Sequence, residues 1–305
     1  MPPFVARSRR DVWVHLMLYP GHTLPTAASP IFVGVGLAIH DGVFAPWPAL
    51  AAFVCSWLVH VGGVFVDQYQ LLARHPGLGE HPELDDAVSE GWLKLPALRL
   101  ISIAWFVAAL VPGIYLWFVL GPPALLLGAI GIASAAWYHA GRPSMAELGL
   151  ADISFFIMFG VVAVAATYYV QAVACGASDV LPLRALVIGL PAAGLVVNVL
   201  IIDDIRDVDF DRIKGWKTTP VRFGVAWSRR EHLVLTVFGY LGPVALVGWY
   251  GPWMLLPLVT LPFAVAAEIA VWTAPRRELL IPWTPRSAFI GAAHAALFGV
   301  ALALA

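Results

Sequence analysis

Five aspartates stand within nine positions, Asp203 to Asp211, and Arg206, Arg212, Lys214, Lys217 and Arg222 lie beside them. Asp203, Asp207 and Asp211 recur at i, i+4 and i+8, so a helix aligns them along one face. Asp204 joins the edge of that face, and Asp209 points to the side. Carboxylates this close repel one another and require a compensating cation. Mg2+ suits them: it prefers hard oxygen ligands and is held through one or two carboxylates plus substrate phosphates. The pattern therefore predicts a Mg-diphosphate site. Asp203, Asp207 and Asp211 are its metal ligands and Asp203, Asp204, Asp207 and Asp211 its catalytic group. Lys214, Lys217 and Arg222 neutralise the phosphate oxygens that metal leaves uncovered. An ordinary charged loop is the plainer alternative. A calcium-binding loop fails for want of its glycine and terminal glutamate.

The elements that position this stretch are apolar. The chain has 305 residues, 60% of them hydrophobic and only 12% charged, with a mean hydropathy of +0.82. Apolar runs of about twenty residues recur along it, which predicts a polytopic, all-α membrane protein. A very apolar soluble helical protein is the disfavoured alternative. Nine spans are expected, near 16–39, 47–66, 97–119, 122–140, 152–174, 182–202, 231–249, 252–272 and 287–304, bundled as one domain over residues 1–305. With the N-terminus in the cytoplasm, the polar loops near 67–96, 141–151, 203–230 and 273–286 all face inward. Arg184 is then the only one of 18 Lys and Arg left outside. That asymmetry predicts a multi-pass protein of a prokaryotic cytoplasmic membrane, with its C-terminus outside. The basic residues flank membrane spans and form no basic-aromatic surface for nucleic acid. Cys55 and Cys175 lie in apolar runs and imply neither disulfide nor zinc site. A secondary transporter would place its charges near the membrane midplane; here they gather at inner helix ends.

A diphosphate held at the membrane boundary implies an apolar tail among the helices, the shape of a prenyl diphosphate. Ionising its C–O bond requires charge stabilisation on the leaving diphosphate. Aromatic faces stabilise the resulting cation, and Tyr69, Trp137, Tyr138, Phe210 and Trp216 stand near the inner ends. Asn198 is polar within span six, one turn before Asp203, and is a candidate cavity residue. His15, His22, His60, Glu147, Asp152, Glu268 and His294 are weaker pointers, for which an interhelical hydrogen bond is the duller role.

The run Asp207 to Gly224 reads D-x-x-x-D-R-x-x-G-x-x-T-x-x-V-R-x-G. It resembles the second aspartate-rich motif of the UbiA superfamily of intramembrane prenyltransferases, most nearly the branch that prenylates 1,4-dihydroxy-2-naphthoate in menaquinone synthesis. WYHAGRPSMAELGLAD at 137–152 and ATYYVQ at 166–171 are similar to that branch as well. The resemblance implies a helical bundle around a central cavity, two facing acidic motifs, Mg2+, a prenyl diphosphate donor and a membrane-associated aromatic acceptor. Arg142 and His139, in the neighbouring loop, are candidates to touch the diphosphate or the acceptor, with a surface role as the alternative; Tyr69, Tyr138 and Asn198 stay substrate-cavity candidates on their position in the chain. The first motif departs from the family pattern. Asp67 stands where the family has asparagine, and Gln68, Leu71 and His75 replace its aspartates. Asp67 and Gln68 are the remaining metal-ligand candidates on that side. Glu80, Glu83, Asp85, Asp86 and Glu90 would have to fold back to rebuild an acidic wall. The expected function is Mg-dependent prenyl transfer to an aromatic acceptor. Alternatives are a cyclase acting on the diphosphate without acceptor, a transporter and an inactive relative.

Overall fold

The computed structural model describes residues 8–78, 82–177 and 183–305, without the side chains of Pro82 and His139. Every regular element among them is helical. In chain order these are α1 (Arg9–Leu18), a 3-10 turn (Tyr19–His22), α2 (Leu24–His40), α3 (Pro46–Arg74), α4 (Pro82–Ser89), α5 (Leu95–Leu120), α6 (Pro122–Ala140), α7 (Met145–Leu148) and α8 (Ala151–Phe155). A π-helical stretch (Phe156–Val162) leads into α9 (Ala163–Ala174). Then come α10 (Leu183–Lys214), α11 (Thr219–Phe223), α12 (Val225–Ala245), α13 (Val247–Tyr250), a 3-10 segment (Pro252–Thr260), α14 (Leu261–Thr273), a 3-10 turn (Arg277–Leu280) and α15 (Trp283–Ala303). Prolines sit in the first turns of α2, α3, α5, α6 and α14, where a missing N–H costs no helical hydrogen bond.

The chain is an integral, multi-pass membrane protein. Among the described residues eight helical stretches are long and apolar enough to cross a membrane, and Pro122–Tyr138 is a shorter apolar helix. The first expected span, 16–39, is interrupted. The Tyr19–His22 turn separates α2 from α1, which buries Val12 and Leu16 against Phe65, Leu72, Leu84 and Leu98. This cluster orders part of the 67–96 loop, because α4 contributes Leu84 and Ala87 to it.

The most buried helix is α10, which touches α2, α8, α9, α11, α12, α15 and the π stretch. Two close crossings set its frame. A Cβ at Gly160 would lie 2.0 Å from the Ala193 side chain, so the π stretch meets α10 nearly backbone to backbone. At the crossing of α2 and α15, a Cβ on Gly299 would come 2.2 Å from the Phe32 carbonyl oxygen. Small residues at such crossings supply the van der Waals contact that holds membrane helices together where hydrophobic burial cannot. Backbone cannot swing aside as a side chain can. Gly299→Val is therefore expected to lower the unfolding midpoint in detergent by the equivalent of about 2–3 kcal/mol. Gly248→Ala, whose Cβ meets nothing within 4 Å, should leave the midpoint unchanged.

Candidate active site

The C-terminal turns of α10 carry Asp203, Asp204, Asp207 and Asp211 into a recess of ≈190 Å³. The helix ends just beyond. Gly215 adopts a positive φ of 77°, and the Trp216 N–H donates back to the Asp211 carbonyl at 2.9 Å. Only glycine takes that conformation without strain, and it turns Trp216 and Thr218 back over the recess, whose lining they join. The opposite wall is α3, where His60, Gly63, Val64, Asp67 and Leu71 share one helical face. Tyr138 of α6, Phe155 and Phe159 of the α8–π segment, and Tyr19, His22 and Thr23 also line it.

The carboxylates are individually restrained. Arg206 grips Asp207 through two parallel bonds, Nε to Oδ1 at 2.8 Å and Nη2 to Oδ2 at 2.6 Å. Its Nη1 reaches Asp203 Oδ1 at 2.6 Å. Thr284 of α15 donates to the same Asp203 oxygen. Asp211 accepts from Lys214 at 2.9 Å and from Thr218 at 3.2 Å, and the Lys214 ammonium rests 3.8 Å over the Trp216 ring. Asp209 is exposed and pairs with Arg212 and Arg277 outside the recess, as its side position on the helix predicts. Asp204 is buried, and its Oδ2 has no hydrogen-bond partner. Asp152 accepts from Thr219 at 2.5 Å, and its Oδ1, like Asp204 Oδ2, has no hydrogen-bond partner among the described residues.

These donors fit Mg2+. Asp67, Asp203, Asp204, Asp207 and Asp211 line the recess against one lining lysine, Lys214, with Arg206 behind them. The set is all oxygen, carries an excess of negative charge and contains an orphaned buried carboxylate oxygen. No three His, Cys, Asp or Glu side chains among the described residues form a ready-made cage. That is the arrangement expected when phosphates and water complete the coordination.

Several residues expected at the site stand elsewhere. Gln68 is buried one helical step off the lining face of α3. Tyr69 packs into the α1–α4 cluster. Asn198 faces away from the recess and donates to Thr236 at 2.7 Å and to the His232 carbonyl at 3.2 Å. There it joins a buried network in which Thr236 and His232 both bond Glu268, at 2.6 and 2.7 Å. Lys217 and Arg222 are exposed and absent from the lining; Arg222 reaches the Gly149 carbonyl at 3.5 Å. Arg142 borders a neighbouring open hollow with Arg74, His75 and Glu147. His75 turns edge-on to Trp216 at 6.0 Å. The His139 side chain and Glu80 lie outside the described residues. Glu83, Asp85, Asp86 and Glu90 are also absent from the lining, and Asp85 accepts from the Gly77 N–H instead. The described acids of this stretch therefore form no second acidic wall, because α4 uses its apolar face to dock on α1. Sequence reading missed Arg206 as the internal clamp and Thr284 as its partner. The i, i+3 spacing of Asp203 and Arg206 was the available signal, whereas nothing local marks Thr284.

An all-helical membrane bundle with such a recess at the end of its most buried helix defines the class: an integral-membrane prenyltransferase. The chain belongs to the UbiA prenyltransferase family, whose model matches residues 88–291. It is 30% identical over 275 residues to the 1,4-dihydroxy-2-naphthoate octaprenyltransferase of Mycobacterium tuberculosis, covering 85% of this chain and 86% of that one. The protein of the same name from Escherichia coli is 29% identical over 245 residues, covering 75% and 73%. Among solved structures, a UbiA homolog from Aeropyrum pernix K1 shares the fold with a TM-score of 0.67 at 19% identity, covering 90% and 96%. A UbiA homolog from Archaeoglobus fulgidus bound to DMAPP and Mg2+ does so at 0.51 and 15% identity, covering 92% and 99%.

The Arg206 clamp generates a test that needs no turnover. Arg206→Met leaves Asp203 and Asp207 without their counter-charge, and breaking a largely buried pair costs on the order of 3 kcal/mol. Without divalent cations the variant should unfold at a lower temperature than wild type. Added Mg2+ should raise its midpoint more than that of wild type; equal rises would argue against Mg2+ binding beside Asp203 and Asp207.

Proposed function

We propose that the protein transfers a prenyl group from a prenyl diphosphate to a membrane-associated aromatic acceptor, in a Mg-dependent reaction, and that a dihydroxynaphthoate of quinone biosynthesis is the acceptor. The observation that carries this reading is the restrained carboxylate row beside Lys214, set in a recess whose other walls mix apolar and aromatic residues with His22, Thr23, His60 and Asp67. The names of the relatives, aligned over most of their length, support the acceptor. In this reading nine spans surround a central cavity, with the shorter α6 helix as the fourth. The N-terminus and the aspartate end face the cytoplasm and the C-terminus faces outward.

Asp203, Asp204, Asp207 and Asp211, with Asp67 opposite, would hold Mg2+, which when bound neutralises the diphosphate as it leaves. Lys214 supplies a further positive charge at the leaving oxygens. Its hydrogen bond to Asp211 and its seat on Trp216 fix the ammonium in place. Lys217, Arg222 and Arg142 stand at or beyond the rim, where they attract the anionic donor. The C–O bond breaks with its electron pair passing to the diphosphate. The allylic carbon then accepts a pair from the acceptor ring, and the ring loses a proton or its carboxylate as carbon dioxide. Tyr138, Phe155 and Phe159 present aromatic faces to the short-lived cation and keep water away.

The direct experiment combines purified protein, Mg2+, a series of prenyl diphosphates and candidate acceptors, with product masses as the readout. Prenylated dihydroxynaphthoate is expected, and chelation of Mg2+ should abolish it. Asp207→Asn should lower kcat/KM by at least about 100-fold. Product formed without acceptor would replace this reading with a cyclase. Donor binding without any product would overturn both.

A further inference from the structure

The Tyr19–His22 turn brings into the recess an imidazole that metal and diphosphate binding leave unused. Pro20 stands in its first turn, and the Thr23 N–H closes it by donating to the Pro20 carbonyl at 3.1 Å. His22 and Thr23 line the same recess that Asp203 and Asp207 line from α10. The His22 Nδ1 bonds the Tyr19 carbonyl, and the two rings meet edge-on at 4.5 Å and 61°. A carbonyl oxygen only accepts, so Nδ1 carries the hydrogen. In the neutral ring Nε2 is then the nitrogen with the lone pair.

That nitrogen has no hydrogen-bond partner among the described residues. It is not among their buried unpaired atoms either, so it is open to the recess it lines. Asp203 and Arg206 of α10 and His60 of α3 are the charged and titratable groups near it, and Asp203 bonds Arg206 and Thr284 rather than His22. His60 also lines the recess, but its Nε2 lies 2.9 Å from Thr23 Oγ1, where either atom can donate. Of the two lining imidazoles, only His22 has its tautomer set by the backbone. The carboxylates are poor competitors as bases. In the proposed reading they hold Mg2+, and a neighbouring cation favours the ionised form of a carboxylate and so weakens its grip on a proton.

We propose that His22 is the general base of the reaction and takes the hydroxyl proton of the aromatic acceptor. This rests on the prenyl-transfer reading. The proton passes to Nε2 and the O–H pair moves toward the ring. A pair from the ring forms the new C–C bond to the allylic carbon, whose C–O pair leaves with the diphosphate. The attacked ring carbon then sheds its carboxylate as carbon dioxide, or its hydrogen as a proton taken by the diphosphate. The pair so released restores the aromatic ring, and the imidazolium returns its proton to the same oxygen. The Tyr19 carbonyl, bonded at Nδ1, supports the positive charge that the ring carries in between.

The test crosses two proteins with two acceptors. His22→Asn keeps an N–H that can reach the Tyr19 carbonyl but cannot take up a proton. A dihydroxynaphthoate is compared with its methyl ether, which has no proton to give at the blocked oxygen. On the hydroxyl acceptor the variant should lose about 100-fold in kcat, with the KM for prenyl diphosphate unchanged. On the ether, wild type and variant should turn over at the same low rate. An equal loss on both acceptors would show that His22 only shapes the recess, and would overturn the proposal. So would a variant within about threefold of wild type on the hydroxyl acceptor. The second variant, His22→Ala, leaves room for a free base. Added imidazole should restore its turnover in proportion to concentration, and substituted imidazoles should do so in order of basicity; no restoration would count against the proposal. Wild type that makes no prenylated product from either acceptor would remove the prenyl-transfer reading, and the proposal with it.

Discussion

The constraint on which the structure depends is the storage of four carboxylates on the last turns of a helix that is otherwise core. Like charges so close in an apolar bundle cannot all stand unpaired. The chain meets this with cations drawn from the same helix. Arg206 lies between Asp203 and Asp207 and bonds to both, while Lys214 sits under Asp211. Because donor and acceptors share one backbone, the spacing is set by the helical repeat and not by tertiary docking. The pairing also recruits neighbours. Thr284 ties α15 to Asp203, and Thr218 ties the following segment to Asp211. The acidic row is thereby a fastening point for the bundle as well as a site.

The other side of α10 carries a second polar fastening. Asn198, Thr236, His232 and Glu268 form a buried network joining α10, α12 and α14. In hydrocarbon a polar side chain is tolerated where partners satisfy it, so each such bond also fixes a rotation. Anchored on one face by Arg206 and Thr284 and on another by Asn198, α10 has little freedom to roll. That rigidity matters for catalysis by charge placement, since donors and carboxylates must already stand where charge develops.

What was legible in the sequence, and what was not, follows from the range of the interactions. The multi-pass helical architecture was legible because its spans are long apolar runs; eight such stretches stand among the described residues where nine were expected, and the Tyr19–His22 turn breaks the first. The alignment of Asp203, Asp207 and Asp211, and the exclusion of Asp209, were legible because both follow from a 3.6-residue repeat within one helix. Asn198 was misplaced for a reason of the same kind. A polar residue in a span announces that it has a partner, but not on which side. Its partners lie 34 to 38 residues onward, beyond the reach of any local pattern. The same limit hid Thr284, separated by 81 positions from Asp203. The acidic stretch at 83–90 misled because its charges are conspicuous, while what places it is the pair Leu84 and Ala87, buried against α1.

The asymmetry of the recess has a physical consequence. α10 brings four carboxylates and α3 brings Asp67, with Leu71 on the same lining face where a second acid would stand. A diphosphate bound between two equal acidic walls would be held at the midline by cations on both sides. Here the carboxylates are weighted toward α10, so in the proposed reading cations, and with them the anionic head, are drawn to that wall. Lys214, fixed by Asp211, waits on the same side. Leu71 then faces the donor as apolar surface, continuous with Val64 and Gly63 and so with the aromatic boundary at Phe159. In the proposed reading Leu71 gives the α3 wall an apolar surface where the resemblance expects an acid, and α10, with Arg206 between Asp203 and Asp207, organises the charge.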